Sequence, residues 1–147
     1  MEPPSAPPGP IPPRPYGLPV TERAGVPHPD AEGVDEALIR EVTAEFYRRA
    51  RRDEILGPVF GRYVDDWDVH LARMNDFWSA ALLRTGRYSG SPIERHRAVE
   101  GLADAHFGRW VELFEATVRD LCGPAEAEAF LVRARRMREA MSRALAV

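Results

Sequence analysis

From Asp35 to Arg52 the apolar positions Leu38, Ile39, Val42, Phe46 and Ala50 recur at steps of three and four residues, with charged residues between them. That spacing lays one apolar face along an amphipathic helix. The helix is expected to end before Gly57-Pro58, where a turn delivers Phe60. A second helix is predicted from Asp65 or Asp66, because acids in a first turn complement the helix dipole. Its stripe is Trp67, His70, Leu71, Met74, Phe77, Trp78, Ala81 and Leu82, and the stretch Gly86 to Gly90 breaks it. Ser91-Pro92-Ile93-Glu94 then places serine at an N-cap, proline at the first helical position and glutamate at the third. This capping box specifies a short helix that carries His96 about a turn in. Another helix, Asp104 to Cys122, has the stripe Phe107, Trp110, Val111, Phe114 and Val118 and closes at Gly123-Pro124. The last runs from Ala125 to Leu145, with Phe130, Leu131, Ala134, Met137 and Met141 facing inward. No strand alternation and no internal repeat occurs. The fold class is all-α.

Proline divides the chain. Eleven of the 14 prolines fall in residues 1–29, where missing donors and restricted neighbours oppose both helix and sheet. Residues 1–33 are therefore expected to be a disordered or polyproline-like tail, and 34–147 the folded domain. PPGPIPPRP superficially matches a ligand for small aromatic-groove domains, but composition supports a tail with no partner. The length of 147 residues allows a single core. A net charge of −3 gives no reason to expect nucleic acid, and the 20 basic residues, all arginine, are interleaved with acids. Cys122 is the one cysteine, so no intrachain disulfide is possible and a reducing cytoplasm is expected. No apolar run approaches the roughly 20 residues of a membrane helix, and the N-terminus lacks a secretory apolar stretch.

Candidate chemistry centres on two imidazoles in this helical frame. His70 lies on the apolar stripe of its helix, where the bland alternative is a hydrogen-bonded core histidine. His96 sits in a short capped helix that contributes little core, and a metal bond would anchor such a helix; a surface histidine balanced by Glu94, Arg95 and Arg97 is the alternative. Tyr47 adjoins the core face beside Phe46, and its hydroxyl needs a partner if buried. Trp110 follows His106 by one turn; His106 itself is expected to face solvent. Trp67 and Trp78 can be core or cofactor wall. Cys122 reads as a small apolar filler with no lowered pKa. There is no HExxH, CxxC, GxGxxG or GxxxxGK[ST]. A zinc site would need His70, His96 and His106 to converge. An apolar helical pocket with one imidazole ligand and polar donors opposite suits haem.

Six segments in order sharpen this picture. They are Phe46-Tyr47, Leu56-Gly-Pro-Val-Phe60, Trp67-x-x-His70, Asp76-Phe-Trp-x-x-x-Leu-Leu83, Gly86-x-Tyr-x-Gly-x-Pro-x-x-x-His96 and His106-Phe-x-x-Trp-x-x-Leu-Phe114. From Ala37 to the C-terminus the chain resembles the group III truncated globins of bacteria. The resemblance implies a two-over-two α-helical sandwich around haem b, in a truncated globin domain spanning 34–147. It implies His96 as the metal ligand, Tyr47, His70 and Trp110 as distal residues, and Phe60 packed on the haem face. Further cofactor contacts are expected from Trp67, Arg73, Met74, Phe77, Tyr88, Ile93 and Phe107. The Pro-rich tail has no counterpart in the family pattern.

The implied function is binding of O2, NO or CO at a histidine-ligated iron, with a reductase as protein partner and a monomeric chain. A haem enzyme of peroxidase or NO-dioxygenase type is the alternative; a carboxylate on the proximal imidazole would favour it, and Glu94 and Asp104 are the nearby acids. A cofactor-free helical interaction module is a third reading.

Overall fold

The computed structural model describes residues 33–145, which form six helices and no strand. The expected tail lies outside the described residues except for Gly33. The first helix, α1 (Glu36–Ala50), starts where the Asp35 carboxylate accepts from Leu38 N at 2.8 Å, and it buries Ile39, Val42, Thr43, Phe46, Tyr47 and Ala50. Helix α3 (Trp67–Leu83) starts the same way, with Asp66 accepting from Val69 N at 3.2 Å. It ends at Arg84, whose φ of 57° is the left-handed conformation that terminates helices.

Between them the sequence predicts only a turn, yet Gly57–Tyr63 forms a further helix, α2. Pro58 explains it: in a first helical turn the missing N–H costs nothing and the ring presets φ. Gly-Pro here starts a helix rather than merely breaking one. Pro124 does the same for α6 (Pro124–Leu145), one residue earlier than expected. Gly57 also lets two backbone segments approach, since a Cβ there would stand 2.8 Å from the Arg51 carbonyl oxygen.

Helix α4 (Pro92–Arg97) carries half of its expected capping box. Ser91 Oγ accepts from Glu94 N at 3.4 Å, while Glu94 pairs instead with Arg97 at 3.4 Å. In α5 (Asp104–Leu121) the capping role falls to His106, whose Nδ1 accepts from Ala103 N at 3.0 Å. His106 is half-buried rather than solvent-facing.

Helices α1 and α3 pack as one pair and α5 and α6 as another, with α1 crossing onto α5; α4 leans on α6. This is the two-over-two sandwich. At its centre the Phe114 ring lies nearly parallel between Trp78 and Trp110, each centroid 5.1 Å away. Phe46 and Phe130 meet the same ring edge-on at 5.4 and 6.1 Å. None of the described helices is long and apolar enough to cross a membrane.

Candidate haem site

Helix α3 buries Trp78, Ser79 and Leu82 completely, but the rest of its stripe is only half covered. Trp67, His70, Leu71, Met74, Phe77 and Ala81 follow one another at helical spacing with the protein covering them partly. Apolar positions repeated in register belong against something apolar. The strip runs from Trp67 and His70 toward Phe77 and Ala81, which line a cavity shared with α4 and α6.

Four aromatic groups converge at its N-terminal end. Tyr47 from α1, Phe60 from α2, and Trp67 and His70 from α3 stand with centroids 4.9 Å (Tyr47–His70), 5.4 Å (Tyr47–Phe60, Trp67–His70) and 5.8 Å (Tyr47–Trp67) apart. Arg51 lies 4.4 Å over the Trp67 ring and covers its outer face. Tyr47 is 7% exposed, and burial pushes its hydroxyl well above the ordinary phenol range, so it is a proton donor at every physiological pH. His70 Nε2 is buried and has no hydrogen-bond partner among the described residues. Burial, with the Arg73 charge and then His96 acting in the same direction, lowers the His70 imidazole to about 4. The two imidazoles are thus near enough to feel one another.

Trp110 joins less directly. Its ring reaches Tyr47 through Phe46, which lies 5.7 Å from Trp110 and 4.8 Å from Tyr47.

His96, on α4, is half-buried, with Phe107 at 6.3 Å. Its Nδ1 lies 2.6 Å from the Pro92 carbonyl oxygen, the first residue of the same short helix. A carbonyl can only accept, so Nδ1 carries a proton, and in the neutral ring the lone pair then lies on Nε2. That is the state in which an imidazole binds a metal. Neither nearby acid competes for the ring: Glu94 pairs with Arg97, and Asp104 takes Arg138 and Ser142, each at 3.0 Å.

Phe77, Tyr88 and Ile93 line a cavity of about 460 Å³ together with Ala81, Pro92 and Met137. Neither His70 nor His96 is among its walls, and neither are Trp67, Arg73, Met74, Phe107 or Trp110. Among the described residues no group of three or more histidine, cysteine or acidic side chains could hold a metal ion. The convergence that a zinc site would need does not occur, as His106 is committed to the α5 cap. Burial raises the Cys122 thiol to about 11, in keeping with a filler.

The residues fit haem on their own terms: one imidazole whose Nδ1 is taken by a carbonyl, a second whose buried Nε2 has no partner among the described residues, and a half-covered apolar strip. Two features escaped the periodicity. The acceptor for His96 is a main-chain atom, and the Asp53–Arg109 pair beside the distal cluster joins residues 56 apart. A carbonyl four residues before a histidine in a capped helix is a signal that could have revealed the first.

An all-helical two-over-two sandwich of this kind is the fold of the truncated globins. No family model matches the chain. It is 30% identical over 91 residues to the group 3 truncated hemoglobin ctb of Campylobacter jejuni, spanning 59% of this chain and 72% of the relative. The crystal structure of the group III truncated hemoglobin from Campylobacter jejuni superposes with a TM-score of 0.73 and 27% identity, covering 78% of this chain and 93% of that one. The chain belongs to the group III truncated haemoglobins.

Proposed function

We propose that the chain binds b-type haem through His96 Nε2 and takes O2, NO or CO on the side of Tyr47, His70 and Trp110. The observation that carries this reading is the His96 Nδ1–Pro92 contact of 2.6 Å, which fixes tautomer and ring orientation together. Haem would supply an iron with one position open to a diatomic ligand. The remaining chemistry belongs to the chain. Tyr47 offers a hydroxyl held protonated by burial, and the Trp110 indole N–H is a donor only. Donors of this kind favour a ligand that gathers negative charge, as O2 does, over apolar CO. His70 is neutral above pH 5, so its ring presents one donor and one acceptor. Trp67, Arg73, Met74, Phe77, Tyr88, Ile93 and Phe107 supply the rest of the proposed haem contacts, with Phe60 on the haem face. The domain is proposed to span 34–147, with the preceding Pro-rich segment outside it.

A ligand-binding role is favoured over a peroxidase role by the proximal acceptor. A carboxylate on Nδ1 would make the imidazole strongly basic and help O–O cleavage; a carbonyl does so less. The half-covered strip on α3 would suit a protein partner as well, so it is the oriented His96 ring that favours a cofactor over a cofactor-free interaction module.

Absorption spectra in the ferric, ferrous and ferrous–CO states test the proposal. A Soret band that is lost in His96→Ala and restored by added imidazole is the expected outcome. A wild-type chain that stays colourless with haemin overturns it.

A further inference from the structure

Helix α2 carries Phe60 to the distal cluster, yet it buries none of its own residues completely and its N-cap, Leu56, offers no side-chain acceptor. Core packing reaches it through the buried Leu56 at its start and through Phe60. The carboxylate of Asp53 stands just before it, with only 7% of its side chain exposed. One oxygen accepts from Ile55 N and Leu56 N, both at 3.0 Å, and fixes the turn that leads into α2. The other accepts from Arg109 on α5, with Nε at 2.8 Å and Nη2 at 2.6 Å. Arg109 also donates to Glu112 at 2.9 Å, which aims the guanidinium. The next residue is Trp110. One ion pair thus ties the corner bearing Phe60 to the helix turn bearing Trp110.

We propose that Asp53 and Arg109 are positioning residues of the ligand pocket, a clasp that holds the Phe60 corner in register with Trp110 without touching the ligand. The physical case is one of geometry. Nε and Nη2 converge on the single oxygen Oδ1, and two donors on one acceptor constrain the planar guanidinium more than one bond would. Asp53 spends its second oxygen on backbone N–H groups, so motion of the guanidinium passes directly to the backbone entering α2. Phe60 in turn stands edge-on to Tyr47 and to His70, at 5.4 and 6.2 Å. Loosening the pair therefore shifts the groups that face the ligand.

The inference presupposes haem on His96, and the experiment separates the two. In the haem-loaded protein, Asp53→Asn keeps a backbone acceptor but loses the charge. Arg109→Lys keeps the charge but loses the paired donors. Each is expected to broaden or shift the C–O stretching band of the ferrous–CO complex. Each should also speed O2 release by about ten-fold, the lower end of what a displaced pocket donor's lost bond to the ligand gives. The double variant should be no worse than either single one. Val118→Ala, a fully buried site on α5, controls for lost stability and should leave band and rate at wild-type values. If both clasp variants match Val118→Ala in band position and release rate, the clasp is structural only and the proposal fails. If Asp53→Asn does not fold, Arg109→Lys decides alone. Absence of any ferrous–CO complex in the wild type would instead strike the haem reading.

Discussion

Replacing Tyr47 by phenylalanine removes one oxygen and leaves the ring, so the pocket should keep its shape. The ring is held edge-on by Phe46 at 4.8 Å, His70 at 4.9 Å and Phe60 at 5.4 Å, none of which involves the hydroxyl. The change therefore isolates one donor. A hydrogen bond to a group carrying charge contributes about 1.5–3 kcal/mol, which corresponds to a rate change of roughly 10- to 150-fold. Release of O2 should accelerate by that factor, while release of CO, which gathers little charge, should change by less than about three-fold. Stopped-flow displacement of O2 by excess CO, and of CO by NO, measures both rates. Because burial keeps the phenol protonated, the wild-type O2 release rate should also show no titration of this group between pH 6 and pH 9. Equal acceleration of O2 and CO would mean that the substitution opened the pocket rather than removed a donor. No acceleration of either would refute the placement of Tyr47 against the ligand.

Two further outcomes are expected. His70 titrates near 4 in the folded chain against 6.5 when unfolded, so the unfolded chain takes up protons first as the solution is acidified. Its contribution to stability is complete above pH 6.5 and is lost as pH falls toward 4, by at most about 3 kcal/mol; urea unfolding at stepped pH should show the loss, and His70→Gln should flatten it. Phe114→Ala removes the ring between Trp78 and Trp110 and should cost about 3–5 kcal/mol in thermal or urea unfolding.

The helices that pack over long apolar stripes were legible before any coordinates. In α1, α5 and α6 the three- and four-residue steps encode most of the buried face, whereas in α3 only Trp78 and Leu82 of the expected stripe are buried and Asp76 and Ser79 join them from outside it. Helix α4 was legible by its cap rather than its stripe. Helix α2 was not, because it has no apolar period and opens with Gly57-Pro58, a pair that reads equally as a break. The resemblance to a known family grouped Tyr47 and His70 with Trp110; that Phe60 and Trp67 pack against the first two instead follows from how α2 and α3 lie on α1. The place of Trp110 behind Phe46 depends on the crossing of α1 and α5. Contacts such as Asp53 with Arg109 leave no local trace, since both are charged residues in ordinary polar positions until the chain folds.

The oxygen beneath His96 belongs to the polypeptide itself. Any amino acid at position 92 brings a carbonyl, so drift at that site cannot delete the acceptor; it can only unwind the turn that aims it. The vulnerable inheritance is thus the short coil of six residues and the serine that starts it, not a partner side chain. A lineage could exchange almost everything around this imidazole and still bequeath its orientation, provided one turn of helix is passed on intact.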